Sequence, residues 1–395
     1  MSPTSFLVPP VDTVTYGAGA FDEISSRVAG VGGSRVMVIL SGSLAGGPVE
    51  EALHARLGPA IAGVYARTRQ HVPRSSVLEA TEMARDNRAD CVLSVGGGTP
   101  IDCAKAVALA LRADIRRPED FDHHRVRFTY PSTYEVPPLE GDVVPHVAVP
   151  TTLSGGEHTG LCGVTDDATR AKDAYTSPKL QPRAVILDPW VSAGTPGWLW
   201  AASGMRAVDH AVEGILSARH MPMTDALGAG ALRLLSENLE TSSTDPGDEQ
   251  ARTACLLGTW LSIFGLTNVG VGLSHGIGHQ LAAEFDMIHG VTSAIMLPSV
   301  MEFTRARTLP RLRLVAEAMG VDTRDLSADA AADAAIGAVR DLVTRLGVPD
   351  RISAAGGRRE ALPGIADHVM GDAAVAASPR PVTRADILAL LDAAF

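Results

Sequence analysis

Four short apolar runs mark the first half of the chain: RVMVIL at residues 35–40, DCVLSV at 90–95, HVAV at 146–149 and RAVIL at 183–187, with helical patterns such as SSVLEATEMARDN between them. A run that is apolar at every position suits a strand covered on both faces, and intervening helices provide the crossovers that parallel pairing requires. The spacing predicts an α/β domain of Rossmann-like type on a parallel sheet. From Pro189 onward no such run recurs, and amphipathic patterns such as TDALGAGALRLLSENLE and ARTACLLGTWLSIFGLTNVG take over, which predicts an all-helical second domain. The change falls at DPWVSAGTPGW, where Pro and Gly punctuate the chain. The expected domains are residues 1–190 and 191–395, and 395 residues suffice for two cores.

A formal charge of −11, with 46% hydrophobic and 20% charged residues, describes a globular enzyme. It argues against nucleic acid or an anionic membrane as partner, because both need a basic face. Cys91, Cys103, Cys162 and Cys255 form no CxxC pair and suit a reducing cytoplasm. The N-terminus has no basic region followed by an apolar run, and no later segment offers eighteen uninterrupted apolar residues, so no membrane span is expected. Residues 113–145 are Pro-rich and charged. They read as a surface excursion in which Asp122, His123 and His124 are solvated and do not clip a metal.

In DCVLSVGGGTPIDCAKAVAL a strand ends in three glycines and opens directly into a helix. Glycines let the backbone approach a phosphate, and the free N–H groups of a helix start attract its charge. The motif is neither GxGxxG nor a Walker A. VAVPTTLSGGEHTG, at 147–160, again follows a strand with Thr, Ser and Gly, so two loops at the carboxyl ends of parallel strands point to one nucleotide site.

The run from Gly96 to Lys105, the PTTLSGGE segment, SGMRAVDHAVEG at 203–214 and the stretch VGLSHGIGHQLAAEFDMIHG at 271–290 with its LPSVMEF tail resemble, in order and spacing, the iron-containing alcohol dehydrogenase superfamily. VYARTRQHVPRSSV, ADCVLSVGGGT, LLGTW and SPRPVTRADILALLDAAF look most like its maleylacetate reductase branch, while Asp102 and HGIGHQLAAEF look more like alcohol dehydrogenases. The resemblance implies a dehydroquinate synthase-like architecture, in which an N-terminal dinucleotide domain and a helical domain hold the nicotinamide in the cleft between them. Gly96, Gly97 and Gly98 match the pyrophosphate glycines, and Thr151, Thr152 and Ser154 the second cofactor loop; Thr99, Asp102 and Lys172 complete the expected set. Where NAD-preferring members often carry an aspartate, this chain has Ser41, Gly42 and Ser43. A repulsion against a 2′-phosphate is thereby absent, so the cofactor is NADPH or NADH.

Metal-dependent members hold a divalent ion with an aspartate and three histidines. By position the histidines are His210, His275 and His289, and the aspartate should stand one turn before His210, where this chain has Arg206. Asp209 points about 100° away from His210. Glu213 reaches the right face and is the candidate replacement ligand. A guanidinium about 5 Å from a dication is repelled by ~7 kcal/mol at an effective dielectric of about 20, and it cannot deprotonate in compensation. The expected site is therefore metal-independent. An unbroken helix would part His275 from His289 by about 21 Å, so the chain must turn near EFDMIHG for both to face one cavity.

These readings assign Arg206 to a substrate carboxylate, held by two parallel hydrogen bonds. His279, which matches the superfamily histidine nearest the nicotinamide, is first in line as acid or proton relay, with His275 second. The competing role for Arg206 is a salt bridge with Asp209, Glu213 or Glu157. The expected activity is NAD(P)H-dependent reduction of a small carboxylate-bearing enone or ketone by a homodimer. The alternatives are an iron- or zinc-dependent alcohol or aldehyde dehydrogenase, and a non-redox enzyme or binding protein on the same fold.

Overall fold

The computed structural model describes residues 5–129 and 133–395, and these form two compact units. One runs from Pro9 to Arg127 and from Tyr134 to Thr195. The other holds Pro196–Phe395, together with residues 5–8 and the described residues 128, 129 and 133.

The first unit contains the strands β1 (Thr13–Tyr16), β2 (Val36–Leu40), β3 (Ile61–Tyr65), β4 (Cys91–Gly96), β7 (His146–Pro150) and β10 (Ala184–Leu187), with β8 (Leu161–Thr165) and β9 (Lys172–Thr176) in a small two-stranded sheet; β5 (Arg127–Thr129) and β6 (Thr133–Glu135) pair as a separate two-stranded sheet. The main sheet is parallel throughout, in the order β1-β10-β7-β4-β2-β3. Its helices are α1 (Ile24–Gly30), α2 (Pro48–Leu57), α3 (Arg74–Asp86), α4 (Gly98–Arg112) and α5 (Pro189–Ser192). Alternation along β2 divides two cores. Met37 and Ile39 pack with Val77, Ala80 and Val107 of α3 and α4, whereas Val36, Val38 and Leu40 pack with Ile24, Val28, Leu53 and Leu57 of α1 and α2.

Every one of the four apolar runs is a buried strand. Sequence patterning missed β1 and β3, which flank the sheet and are only partly buried, because an edge strand has no need of a continuous apolar run. The division between units falls between Thr195 and Pro196, beyond Pro189, because α5 is capped by Asp188 and buries Val191 in the first core. Residues 113–145 are less irregular than expected. They hold a 3₁₀ turn at Pro118–His123 that buries Phe121, and the strands β5 and β6; the part of that expectation concerning residues 130–132, like that concerning residues 1–4, lies outside the described residues. Asp122 is not simply solvated, since it accepts from the buried Arg74 at 2.7 Å, which also pairs with Asp166 and Asp173.

The second unit is made of α6 (Gly197–Leu216), α7 (Pro222–Thr244), α8 (Glu249–Phe264), α9 (Leu266–Val269), α10 (Leu273–Phe285), α11 (His289–Ala318), α12 (Ala328–Leu346), α13 (Leu362–Val369) and α14 (Arg384–Ala393). Leu273, Ile277 and Leu281 of α10 pack with Met296 and Val300 of α11, Ile365 and Val369 of α13, and Ile387 and Leu391 of α14. Helix α6 is buried almost all round from Trp200 to Leu216. A helix in that position is normally apolar on every face, so the four ionisable residues it carries, Arg206, Asp209, His210 and Glu213, need a reason to be there. No single described helix is long and apolar enough to cross a membrane.

Candidate functional site

The glycine-rich corner of the first unit has the backbone geometry that a phosphate cradle requires. β4 ends at Gly96 with φ +145°, a conformation that a side chain would strain, and a Cβ there would lie 2.6 Å from Pro100 and 2.8 Å from Ser41. Gly97 precedes the first residue of α4 and gives it no side-chain cap. The first N–H groups of this helix, at Gly98 and Thr99, are thus left for a ligand anion. Thr152 lies against Gly97 and Ser154 against Gly98, while Thr152 Oγ1 donates to Ser154 Oγ at 3.4 Å and the Thr151 N–H donates to the Gly96 carbonyl at 3.0 Å. Ser41 and Ser43 share a hydroxyl hydrogen bond at 3.1 Å, and Gly42 opens the 3₁₀ turn after β2. The two expected loops therefore meet, and a dinucleotide pyrophosphate fits what they offer.

Two further expected cofactor residues stand beside the β8–β9 hairpin. Asp102 accepts the Gly163 N–H at 3.1 Å, and Lys172 is exposed on β9 opposite Thr165, lying over Gly163. The Asp102 bond ties α4 to β8. Sequence reasoning also overlooked what Lys105 does. It is fully buried, and its ammonium donates to the carbonyls of Gly156 at 2.5 Å and Leu161 at 2.7 Å, tying the second loop to α4. A lone lysine in the apolar run AKAVALAL was the available signal.

In the helical unit, α10 crosses α6 with its N-terminus on the Asp209–Glu213 row. Glu213 accepts the N–H of Gly272 at 2.7 Å and of Ser274 at 2.7 Å, doing for α10 what an N-cap side chain would do. A Cβ on Gly272 would lie 2.8 Å from its carboxyl. His275 Nδ1 bonds Glu213 at 2.7 Å and lies 3.3 Å from Asp209, and the Ser274 hydroxyl donates to Asp209 at 3.0 Å. Asp209 thus faces His275 beside Glu213, because the two carboxyls stand one helical turn apart on the same face of α6. Burial raises the proton affinity of both carboxyls, and the charge of Asp209 raises that of Glu213 further.

Between α10 and α11 the chain turns at Asp286, which is left-handed with φ 56°, and α11 starts at His289. A side chain at Gly290 would overlap the Ala202 carbonyl, so this glycine lets α11 seat its first turn on α6. The histidines are gathered as a result. Ring centroids of His210 and His275 are 4.9 Å apart, of His275 and His279 6.3 Å, and of His279 and His289 5.7 Å. Burial, followed by the charge of Arg206, holds His210 and His275 well below the usual imidazole range, so both are neutral. His210 Nδ1, His275 Nε2 and Asp209 Oδ1 are buried without a hydrogen-bond partner among the described residues.

Arg206 enters this cluster from α6. Its guanidinium donates to Ser293 Oγ at 3.3 Å and lies 3.5 Å from His279 Nε2. Among the described residues it forms no direct ion pair, with Asp209 and Glu213 acting on it only through space. Its burial works against its charge more strongly than those carboxyls support it. On the far side of the His279 ring, Nδ1 bonds Asp372 at 2.9 Å. Sequence reasoning did not find Asp372, which lies 93 positions away from His279 in a segment without a motif.

This donor set does not fit the divalent site of one carboxylate and three imidazoles. The fourth ligand position carries a cation that donates toward one imidazole and whose charge acts on two others. Asp209, Glu213 and His275 do bring ligand atoms within 4.8 Å of one another. The Glu213 oxygens, however, already take the N–H groups of Gly272 and Ser274 and the His275 ring, so the expected replacement ligand is committed to holding α10.

Residues 11–189 match the family profile described as iron-containing alcohol dehydrogenase, and residues 200–395 that of the C-terminal part of the Fe-containing alcohol dehydrogenase family. The chain is 32% identical over 387 residues to maleylacetate reductase 2 of Cupriavidus pinatubonensis, an alignment spanning 97% of this chain and 94% of that one. It is 28% identical over 391 residues to the NAD-dependent methanol dehydrogenase of Bacillus methanolicus, spanning 98% and 99%. A solved 1,3-propanediol oxidoreductase superposes with a TM-score of 0.91 at 27% identity over 100% of both chains.

Proposed function

This chain belongs to the iron-containing alcohol dehydrogenase family, and on that premise we propose that it is an NAD(P)H-dependent reductase of a small ketone or enone bearing a carboxylate, working without a metal ion. The observation that carries the reading is Arg206, a charge on a buried helix whose direct partners are a serine hydroxyl and an imidazole. A substrate carboxylate supplies the missing counter-charge and takes two parallel N–H bonds from the guanidinium. The name of the 32% identical relative, maleylacetate reductase 2, supports the substrate class.

When bound, the dinucleotide supplies the hydride, held by Gly96, Gly97, Gly98, Thr152 and Ser154. The chain's own groups do the rest. Arg206 binds and orients the carboxylate. Once its N–H groups turn to that carboxylate, His279 Nε2 is free to take up a proton from solvent, and the imidazolium so formed, backed by Asp372 at Nδ1, donates that proton from Nε2 to the substrate oxygen as charge develops there. His275 Nε2, buried and unpartnered, stands next in line, with His210, which burial holds neutral, packed against His275 and with His289 packed against His279. Ser41 and Ser43 place no carboxylate against a 2′-phosphate, so the reading admits NADPH as well as NADH. It also carries a homodimer in the cytoplasm; the buried free thiols agree with a reducing compartment.

A second reading, a metal-dependent alcohol or aldehyde dehydrogenase, rests on the Asp209, Glu213 and His275 grouping. Oxidation of NADH and NADPH with a panel of small oxo-acids, enones and aldehydes, with and without EDTA, separates the two. Turnover of oxo-acids unaffected by EDTA is expected. Turnover confined to uncharged aldehydes and abolished by EDTA favours the second reading, and failure to bind either dinucleotide in a fluorescence titration rejects both.

A further inference from the structure

We infer that Asp372 is a positioning residue that fixes the tautomer and ring orientation of His279, so that Nδ1 carries the proton and Nε2 is the atom offered to substrate. Two independent contacts say so. Nδ1 lies 2.9 Å from a carboxylate oxygen, which can only accept, so Nδ1 must donate. Nε2 lies 3.5 Å from Arg206 Nη2, which can only donate, so Nε2 must accept. The opposite tautomer would set hydrogen against hydrogen at one end and lone pair against lone pair at the other.

The carboxylate is itself held in place. Asp372 Oδ1 accepts the N–H of Ala374 at 2.9 Å, capping the 3₁₀ turn Ala373–Ala377, while Oδ2 takes His279 and, at 3.4 Å, Gln280 Nε2. This turn rests on α10 at Gly276, one turn before His279, where Ala374, Val375 and Asp372 all come within 4 Å of the position a Cβ would take. Burial pushes the Asp372 carboxyl up, but the His279 ring and the Ala374 N–H more than offset it, leaving it ionised. Charged and titratable neighbours of the ring are Asp372 on one side and Arg206, His275 and His289 on the other. A carboxylate behind an imidazole sets which nitrogen faces the reaction and steadies the imidazolium when it forms.

Asp372→Asn tests this with little change of shape. The backbone N–H of Ala374 cannot move, so the amide oxygen stays on it and the amide NH₂ turns to His279 Nδ1, where it donates. The ring proton must then shift to Nε2. Nitrogen-15 NMR of histidine-labelled protein, with His279 assigned from a His279→Gln variant, reads the tautomer without reference to any substrate. The wild type is expected to show Nδ1–H and D372N to show Nε2–H. Nε2–H in the wild type, or Nδ1–H in both, overturns the inference.

The kinetic arm rests on the proposed reductase activity. In D372N kcat falls on the order of 100-fold or more, while the KM for the carboxylate substrate, dinucleotide affinity and Tm stay close to wild type; Asp372→Glu, which restores an acceptor, recovers part of kcat. An unchanged kcat in D372N overturns the positioning role. If the wild type reduces no carbonyl acid but the tautomer inverts as stated, the functional reading fails and the inference about Asp372 stands.

Discussion

Arg206 and Asp372 grip opposite nitrogens of one ring: Arg206 Nη2 lies 3.5 Å from His279 Nε2, and Asp372 Oδ2 lies 2.9 Å from His279 Nδ1. A cation, an imidazole and a carboxylate thus stand in line across the helical unit. Arg206 is the end of that line with no ion-pair partner among the described residues, whereas Asp372 is tied to backbone.

Replacing Arg206 with Ala removes the proposed carboxylate receptor. Steady-state kinetics should show KM for the acid substrate rising by a factor that corresponds to about 2 to 5 kcal/mol, the range for truncating one partner of a buried charge pair. An uncharged ester of the same substrate should lose far less. An unchanged KM for the acid would return Arg206 to a space-filling role.

Gly96→Ala places a Cβ against Pro100 and Ser41 at a backbone conformation with φ +145°. The strain, of order 1 to 3 kcal/mol, displaces the turn from which α4 begins. Fluorescence titration should show weaker binding of both NADH and NADPH, by about tenfold or more, with metal content and the helical unit's behaviour unaltered. Equal affinity for both dinucleotides in the variant and the wild type would separate the cofactor from this corner.

Glu213 is the N-terminal cap of α10 supplied by another helix. Glu213→Ala leaves the N–H groups of Gly272 and Ser274 and the His275 ring without their acceptor. At roughly 1 to 3 kcal/mol for each buried group left unsatisfied, a loss of about 3 to 5 kcal/mol is expected. Thermal unfolding should register this as a fall in Tm of roughly 10 °C. A Tm within about 2 °C of wild type would show that the cap is dispensable.

Buried histidines set the acid limit of stability. His146, on β7 with Ser94 Oγ 2.8 Å from its Nε2, is pushed by burial, and then by the charge of Lys105, from 6.5 down to about 3. The folded value is depressed, so the unfolded chain takes up the proton first as pH falls. The contribution is present above about pH 6.5 and is lost on the way down toward about pH 3. His210 and His275 act in the same direction, while Glu213, raised by burial, acts in the opposite one. Comparing His146→Gln with wild type isolates the single group. Between about pH 4 and 6 the variant's stability should fall with a slope about 1.4 kcal/mol per pH unit shallower. Parallel slopes would contradict the assignment.

The central strands β2, β4, β7 and β10 were legible in the sequence because burial on both faces demands an unbroken apolar run, and the helical half because its patterns repeat with the helix. The edge strands β1 and β3 were not, since half-buried strands carry a weaker pattern. In the site, the glycine corner and the spacing of His210, His275, His279 and His289 announced themselves through motif and period. What stayed hidden depends on the packing of distant segments. Asp209 meets His275 only because α10 sets its first turn on the face of α6 that carries both Asp209 and Glu213; Glu213 is used up by an N-terminus that its own helix does not contain; and Asp372 reaches His279 from a turn nearly a hundred residues downstream. Such relations come from tertiary approach, and no local period records them.

The central claim is that a guanidinium has replaced the carboxylate a metal ion would need. Quantifying zinc and iron bound to protein purified without chelator, in the wild type and in Arg206→Asp, tests it most directly. The account predicts well under one equivalent in the wild type and a gain approaching one equivalent in R206D that depends on His210, His275 and His289. One equivalent already seated in the wild type, lost when those histidines are replaced, would contradict it.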